Sequence, residues 1–255
     1  MSTVVRDFYN FLDEIAPFSA QEGWDNSGFL VGDGSRRAEK VLVALDATEP
    51  VLDEACRIGA ELIITHHPVI FGSLKELHPE NIAFLAAERG IAVISSHTSL
   101  DIADGGVNDC LAAALELHDV RKCGDELGLL RMGELEKPLS CGEFVRHTAE
   151  KLNVGGIKYT PTEKPIKSVA VCGGSGAEFF RDAMAAGADA FVTANIKHNF
   201  FIDIRRAGFC VLDAGHFCTE NTVIAPLAKK LAERFPDAEI VVSQVSRDPA
   251  EYWSK

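Results

Sequence analysis

The sequence predicts an α/β protein of two similar units, each a three-layer arrangement with a mainly parallel sheet between helices. Short apolar runs alternate with segments of helical spacing along most of the 255 residues, which is typical of parallel strands connected by helices. Part of the first half also recurs in the second half, since Val41–Thr65 aligns without a gap on Val169–Thr193. We therefore expect one unit in residues 1–128 and another in residues 129–255.

The elements of the first unit follow from their apolar spacing. A helix is predicted between Val4 and Ile15, where apolar residues recur at helical intervals until Pro17 ends the pattern. Three apolar runs predict buried strands: Lys40–Leu45, Glu61–Thr65 and Ile91–Ser95. Two segments between these strands are each followed by a glycine and predict helices: Pro50–Ile58 and Pro79–Arg89.

The boundary between the two predicted units lies within a charged, glycine-containing stretch from His118 to Pro138. Ser140 and Glu143 have the spacing of a capping box and predict the start of a helix. A later apolar run predicts a strand at Phe209–Leu212.

The ends of two predicted strands carry the same pattern of polar residues. His97-x-x-x-Asp101 follows the strand Ile91–Ser95, and His216-x-x-x-Glu220 follows the strand Phe209–Leu212. Each pattern precedes a predicted apolar helix, Val107–Leu117 and Val223–Leu231 respectively. The aligned block alone equally fits the small-residue pattern of any β-α-β unit, so the matching strand ends are the better evidence for duplication.

Composition excludes several classes of function. The net charge of −13 and the pI of about 5.0 have the wrong sign for binding a nucleic-acid backbone. Aromatic residues, at 8%, are too sparse for a single-strand stacking platform. No apolar stretch approaches the ~18 residues of a membrane span, and the first residues lack the apolar core of a signal peptide. Seven cysteines without a Cys-x-x-Cys pair are typical of reduced thiols in a cytoplasmic protein.

Histidines and carboxylates cluster at the predicted strand ends. His66 and His67 directly follow the strand Glu61–Thr65, and the carboxyl ends of parallel strands meet at one edge of a sheet. Imidazole and carboxylate together are ligands of zinc, manganese and iron. Because adjacent residues at a strand end point in different directions, His66 and His67 suit two neighbouring metals better than one. The alternative is a pair of structural imidazoles hydrogen-bonded to loop carbonyls.

Four motifs resemble those of a known family: GWDNSGFLVGD (Gly23–Asp33), ITHHPVIFG (Ile64–Gly72), SSHTSLDIADGGVND (Ser95–Asp109) and GHFCTE (Gly215–Glu220). The family is that of toroidal, dinuclear-metal proteins named for similarity to Ngg-interacting factor three, many of which are called GTP cyclohydrolase I type 2 homologues. The resemblance implies a homohexamer and two divalent ions per subunit, held in the cleft between the two units. The ligands that it implies are His66, His67, Asp101, His216 and Glu220.

One loop departs from the family pattern. Family members carry Thr-Gly-acid-x-Lys-[HY]-[HD] where this chain has TANIKHN, residues 193–199. If this strand-end loop lines a substrate pocket, the chain differs from its relatives in substrate or rate. Lys197 and His198 are candidate substrate contacts, and a solvated helix start is the alternative for both.

Three further sites are candidates for ligand contacts. His97 is a candidate general acid or base, with orientation of Asp101 as the alternative role. Trp24 and Asp25 are candidate walls of a pocket for a planar ligand, and a packed indole followed by an Asx turn is the alternative. The glycine-rich loop, residues 173–176, has backbone N–H groups that could contact a phosphate.

These observations lead to two hypotheses of different classes. The first is a divalent-metal-dependent hydrolase with a dinuclear site, acting on a nucleotide or another small phosphorylated substrate. Guanine as the base comes from the resemblance alone. The second is a non-catalytic, regulatory metal-binding scaffold built as a hexamer.

Overall fold

The computed structural model describes residues 3–124 and 128–253, and within these ranges it divides into two compact units. The first unit comprises the residues up to Asp104 together with Ile224–Arg247, and the second comprises Gly105–Val223 together with the residues from Asp248. The units therefore do not coincide with the predicted segments 1–128 and 129–255. The chain enters the second unit before residue 128 and returns to the first at Ile224 to add a last helix and a last strand.

The first unit contains a mainly parallel sheet in the order β1-β4-β3-β2-β11. Its strands are β1 (Gly28–Val31), β2 (Lys40–Ala44), β3 (Leu62–Thr65), β4 (Ala92–Ser95) and β11 (Glu239–Val242). Only β1 is antiparallel to its neighbour within the described residues. Strands β2 to β4 are buried along almost their whole length, which explains their continuous apolar sequence.

The helices of the first unit are α1 (Val5–Ile15), α2 (Glu49–Ile58), α3 (Ile82–Glu88), α4 (Thr98–Ile102) and α10 (Ile224–Arg234). Helix α2 ends at Gly59, whose φ of 72° is the left-handed conformation that glycine tolerates. Helix α3 begins at Ile82 rather than at Pro79, because the Asn81 side chain accepts hydrogen bonds from the backbone N–H groups of Ala83 and Phe84.

The second unit contains a mixed sheet in the order β5-β6-β8-β9-β10-β7. Its strands are β5 (His118–Cys123), β6 (Leu130–Leu139), β7 (Lys158–Tyr159), β8 (Ile166–Val171), β9 (Ala190–Thr193) and β10 (Cys210–Asp213). Only β8, β9 and β10 pair in parallel among the described strands of this sheet. The mixed α/β class is confirmed, but the expectation of a mainly parallel sheet holds for the first unit and not for the second.

The helices of the second unit are α5 (Val107–Ala114), α6 (Cys141–Leu152), α7 (Phe180–Ala185), α8 (His198–Ala207) and α9 (His216–Glu220). The predicted capping box opens α6, where Ser140 accepts from the Glu143 N–H and Glu143 accepts from the Ser140 N–H. Within the described ranges, no helix has the length and apolar character needed to cross a membrane.

The predicted repeat corresponds to three neighbouring parallel strands in each sheet. Strands β2, β3 and β4 of the first unit match β8, β9 and β10 of the second. The last strand of each trio leads into a helix of five residues, α4 after β4 and α9 after β10. The residues that follow β3 and β4, and those that follow β9 and β10, therefore occupy equivalent places in the two units.

Candidate metal centre

Short hydrogen bonds join the carboxyl ends of β3 and β4. The Thr65 and Ser95 hydroxyls lie 2.8 Å apart, the Thr65 hydroxyl donates to the His67 carbonyl, and the Ser96 N–H donates to the Thr65 carbonyl. The His67 N–H also donates to the Leu45 carbonyl, just after β2. These bonds fix the backbone that carries the histidine pair.

Three imidazoles lie together at this edge of the first sheet. The ring centroids of His66 and His67 are 4.9 Å apart, and His97 lies 5.1 Å from the first and 5.5 Å from the second. One ring nitrogen from each residue lies within 4.8 Å of one from each of the others. His66 is fully buried, whereas 20% of the His67 side chain and 11% of the His97 side chain are exposed.

Each of these imidazoles has an oxygen atom against Nδ1. His66 Nδ1 donates to the Ser96 carbonyl at 2.9 Å, and His67 Nδ1 donates to Asp46 Oδ1 at 2.7 Å. His97 Nδ1 donates to Asp25 Oδ1 at 2.7 Å. Because a carbonyl or carboxylate oxygen can only accept, the proton of the neutral ring lies on Nδ1, and the lone pair for a metal lies on Nε2.

Asp25 is held by several donors besides His97. Its carboxylate accepts from the backbone N–H groups of Asn26 and Thr98 and from the hydroxyls of Ser27 and Thr98. Burial by itself would raise the pKa of Asp25, but the hydrogen bonds from His97 and Thr98 outweigh it and hold the pKa well below its usual value. The Asp25 side chain is fully buried, so in this structure it orients His97. Its predicted contact with a substrate stays a prediction.

Asp101 lies one helical turn after His97, on α4. Its Oδ1 atom is 3.7 Å from His66 Nε2, and 14% of the side chain is exposed. The i and i+4 positions of a helix share one face. The spacing of His97-x-x-x-Asp101 therefore brings a carboxylate to the imidazole group.

The second unit places the other predicted histidine–acid pair on α9. His216 Nε2 lies 3.0 Å from Glu220 Oε2; the carboxylate is buried, and 36% of the histidine side chain is exposed. Gly174, with a φ of 61°, passes so close to Glu220 Oε1 that a Cβ atom there would collide with it. The glycine-rich loop thus makes room for the Glu220 carboxylate.

Three backbone N–H groups of the same loop donate hydrogen bonds to side chains of the second unit. Gly173 N–H donates to Asn108 Oδ1 at 2.7 Å, Gly174 N–H to Thr219 Oγ1 at 3.0 Å, and Gly176 N–H to Thr193 Oγ1 at 3.0 Å. The expectation that this loop cradles a phosphate is therefore not supported by its geometry. Its glycines serve close packing instead.

Asn195 is a site residue whose role sequence reasoning did not find. Its side-chain Nδ2 lies 2.7 Å from His216 Nδ1 and 2.8 Å from the Ser175 hydroxyl. The backbone φ of 54° is left-handed, a conformation that asparagine adopts more readily than most residues. The departure of this loop from the family pattern was the available signal, but it did not reveal the contact with His216.

A cavity of about 630 Å³ lies beside His216 in the second unit. Its lining includes Asn195, Lys197, Lys158 and Tyr252, and Lys158 pairs with the buried Asp213 at 3.0 Å. Lys197 is the N-cap residue of α8, its side chain makes no capping hydrogen bond, and it is exposed, as is His198. Lys197 is thus placed to contact a molecule in this cavity, whereas the exposed His198 is the first residue of α8.

Trp24 lies beside the imidazoles of the first unit. Its indole ring is 5.8 Å from the His97 ring and 5.9 Å from the Phe71 ring, which it faces at an angle of 27°. Phe71 is in turn 5.6 Å from His97. Both aromatic side chains are more than half exposed, which is unusual for adjacent large apolar groups outside a binding surface.

The donors of each unit fit divalent cations of intermediate softness. The first unit offers three imidazoles with oriented Nδ1 atoms and the Asp101 carboxylate, and the second offers one imidazole with one carboxylate. Nitrogen and oxygen ligands of this kind bind zinc, manganese or iron. The His67 and His97 side chains are partly exposed, whereas His66 is fully buried.

Comparison with known proteins identifies the family. The chain matches the family model described as Duf34/NIF3 (NGG1p interacting factor 3) over residues 3–249. The chain belongs to the Duf34/NIF3 family. A Clostridium perfringens member called GTP cyclohydrolase 1 type 2 homolog is 34% identical over 97% of this chain and 99% of its own length. The Drosophila melanogaster NIF3-like protein 1 is 30% identical over 98% of this chain and 88% of its own.

A solved structure shares the fold of this chain. The crystal structure of Staphylococcus aureus hypothetical protein SA1388 matches with a TM-score of 0.94 and 28% identity, covering 99% of this chain and all of the other. The match to the family model confirms the family resemblance inferred from the four sequence motifs.

Proposed function

We propose that this Duf34/NIF3 protein is a divalent-metal-dependent hydrolase that acts on a nucleotide or another small phosphorylated molecule. The observation that carries the proposal is the group of three imidazoles in the first unit, each with an oxygen against Nδ1. This arrangement places the lone pair of each neutral ring on Nε2, where it can coordinate a metal, as proposed for His66 and His67, or accept a proton, as proposed for His97. A purely structural histidine pair does not need a third imidazole with the same orientation.

The proposed ligands of two divalent ions are His66, His67, Asp101, His216 and Glu220. When bound, such ions supply an activated water near neutral pH and polarise the bond to be hydrolysed. His97 is the proposed general acid or base, since Asp25 holds its ring with Nε2 directed away from the carboxylate. Trp24 is the proposed wall for a planar group of the substrate, and Lys197 and His198 are the proposed polar contacts.

The substrate class is supported by the names of relatives and by charge. Curated relatives that are 30–35% identical are called GTP cyclohydrolase 1 type 2 homologs. Exposed Lys197 on the cavity beside His216 is a cation suited to a phosphate group. For GTP, the proposed reaction is hydrolysis at C8 of the purine, with release of formate.

Turnover by metal-loaded protein tests the enzyme proposal. Purified protein is stripped with a chelator, reloaded with Zn²⁺, Mn²⁺ or Fe²⁺, and incubated with GTP and related nucleotides while products are followed by mass spectrometry. We expect turnover that His97→Ala abolishes without loss of bound metal. The matched control is His78→Ala, because the His78 side chain is 63% exposed and its described side-chain contact is with Glu76. Two bound ions without turnover of any nucleotide would favour the regulatory scaffold.

The proposal includes a homohexamer in the cytoplasm. The family resemblance implies the ring, and the seven free cysteine thiols support a reducing compartment. Light scattering coupled to size exclusion is expected to give about six times the chain mass of 27.6 kDa. A mass near that of one chain would exclude the ring.

A further inference from the structure

The imidazole of His216 differs from the other three in what contacts its Nδ1 atom. Ser96, Asp46 and Asp25 present oxygen to His66, His67 and His97, whereas Asn195 presents its amide nitrogen to His216 at 2.7 Å. An amide N–H donates, so His216 Nδ1 accepts in this contact. The proton of the neutral ring then lies on Nε2, which is 3.0 Å from Glu220 Oε2 without a hydrogen bond between the two atoms.

This tautomer is the wrong one for a metal ion at Nε2. Coordination through Nε2 needs the lone pair there and the proton on Nδ1, and Nδ1 then needs an acceptor. Asn195 can supply one if its amide turns by half a revolution, because the turn places Oδ1 where Nδ2 lies now. The Ser175 hydroxyl, 2.8 Å from Nδ2, can accept from the amide nitrogen before the turn and donate to the amide oxygen after it.

We propose that Asn195 is a positioning residue whose amide turns to switch His216 between a resting tautomer, with the proton on Nε2, and a metal-binding tautomer, with the proton on Nδ1. This inference rests on the proposed role of His216 and Glu220 as metal ligands. The consequence is an unequal pair of ions. The ion that uses His216 binds more weakly and exchanges faster than the ion held by the oriented imidazoles of the first unit.

The local structure explains why asparagine suits this position. Its left-handed φ of 54° costs most side chains about 1–2 kcal/mol and asparagine or aspartate less. The side chain is also exposed, so the amide has room to turn. An aspartate would keep the backbone conformation but could only accept from Nδ1. It would hold His216 permanently in the metal-binding tautomer.

The decisive variant is therefore Asn195→Asp. Chelator-stripped protein is titrated with Zn²⁺ against a chromophoric competitor, and bound metal is counted by elemental analysis. We expect two ions of unequal affinity in the wild type, and a weaker-site affinity that Asn195→Asp raises about ten- to a hundredfold. Asn195→Gly removes the side chain without backbone strain, and we expect it to leave the weaker site at or below its wild-type affinity.

A charge control separates the acceptor from simple attraction of the cation. Ser175→Asp adds the same charge one hydrogen bond farther from His216, in an exposed position. We expect it to raise the weaker affinity by no more than about threefold, the residual effect of a screened surface charge. Equal gains for Ser175→Asp and Asn195→Asp would overturn the tautomer argument.

Nitrogen chemical shifts give a readout that does not depend on affinity. In protein labelled with ¹⁵N-histidine, metal-free wild type should show His216 protonated at Nε2, and metal-free Asn195→Asp should show it protonated at Nδ1. The same tautomer in both proteins would refute the switch. Absence of any bound zinc would instead contradict the proposed metal-dependent function, so the two failures are distinguishable.

Discussion

The strand ends of the two units are built on the same plan but hold their histidines in different ways. By the 128-residue offset of the aligned repeat, His67 after β3 corresponds to Asn195 after β9. The first residues of α4 and α9 align His216 with Thr98, one residue after His97. The first unit has an imidazole where the second has an amide. A duplicated β-α-β frame thus keeps the location of its strand-end residues while the residues themselves diverge in chemistry.

The consequence of this difference is a contrast between fixed and adjustable orientation. Carboxylates of Asp46 and Asp25 hold His67 and His97 in one tautomer. The amide of Asn195 allows two tautomers of His216. We expect the first unit to provide most of the binding energy for metal and the second to control exchange.

Replacing His67 by the residue found at the equivalent place in the second unit should have the largest effect. His67→Asn removes one of three oriented imidazoles, and an amide is a poor ligand for zinc. We expect zinc affinity to fall by more than the ~100-fold typical of losing an outer hydrogen-bond partner. Competition titration against a chelator measures the change.

His78→Asn is the matched control for this prediction, because His78 is an exposed histidine paired with Glu76. It should bind zinc like the wild type. Unchanged zinc affinity in His67→Asn would contradict the proposal that the first unit provides most of the binding energy for metal.

Adding a methyl group to Gly174, which lies next to the Glu220 carboxylate, should destabilise the second unit. Gly174→Ala combines a left-handed φ of 61° with a collision between the new Cβ and Glu220 Oε1. We expect a loss of about 2–4 kcal/mol in the free energy of unfolding, from backbone strain and overpacking together. Urea denaturation measures this loss.

Gly59→Ala serves as the comparison in the first unit. Gly59 has a φ of 72°, but a Cβ atom added there would meet no described atom within 4 Å, so only the strain of about 1 kcal/mol remains. If both variants lose the same free energy of unfolding, the collision of the new Cβ atom with Glu220 does not contribute to the loss in Gly174→Ala.

Converting the carboxylate behind His67 into an amide tests the contrast in reverse. Asp46→Asn gives His67 the kind of partner that His216 has. We expect the stronger zinc affinity to fall about ten- to a hundredfold, because the acceptor and its charge are both weakened. A calorimetric zinc titration at low ionic strength measures it. Asp53→Asn is its control, since Asp53 is an exposed carboxylate that pairs with Arg89; a similar fall in that variant would point to overall charge.

The sequence predicted the elements that depend on local spacing. The helix N-terminus at Ser140, the helix end at Gly59 and the strand ends that carry His66 and His97 all follow from patterns a few residues long. The His-x-x-x-acid spacing also predicted a histidine and a carboxylate on one turn of helix, as α4 and α9 show.

What could not be predicted depends on contacts between distant segments. The partner of His67 lies 21 residues earlier in the chain and the partner of His97 lies 72 residues earlier. No periodicity links them. The return of the chain at Ile224 to complete the first unit is a similar case. Strand β11 pairs with β2, which lies far earlier in the chain, and no local sequence pattern identifies that partner. The role of the Asn195 amide could be inferred only from its contact with His216 in the structure.

The smallest predicted effect concerns the aromatic wall of the first unit, which has no equivalent among the described residues around His216 apart from Tyr252. Trp24 is 59% exposed, so Trp24→Ala should change the free energy of unfolding by less than about 0.5 kcal/mol. Loss of stacking should nevertheless weaken binding of a nucleotide about five- to tenfold, near the lower end of what one base–aromatic contact contributes. Equilibrium dialysis with GTP measures the affinity. Trp253→Ala is the control, since Trp253 is 80% exposed. Equal binding by the two variants would show that the planar group of the substrate lies elsewhere, and would leave the cavity beside Lys197 and Tyr252 as the place to seek it.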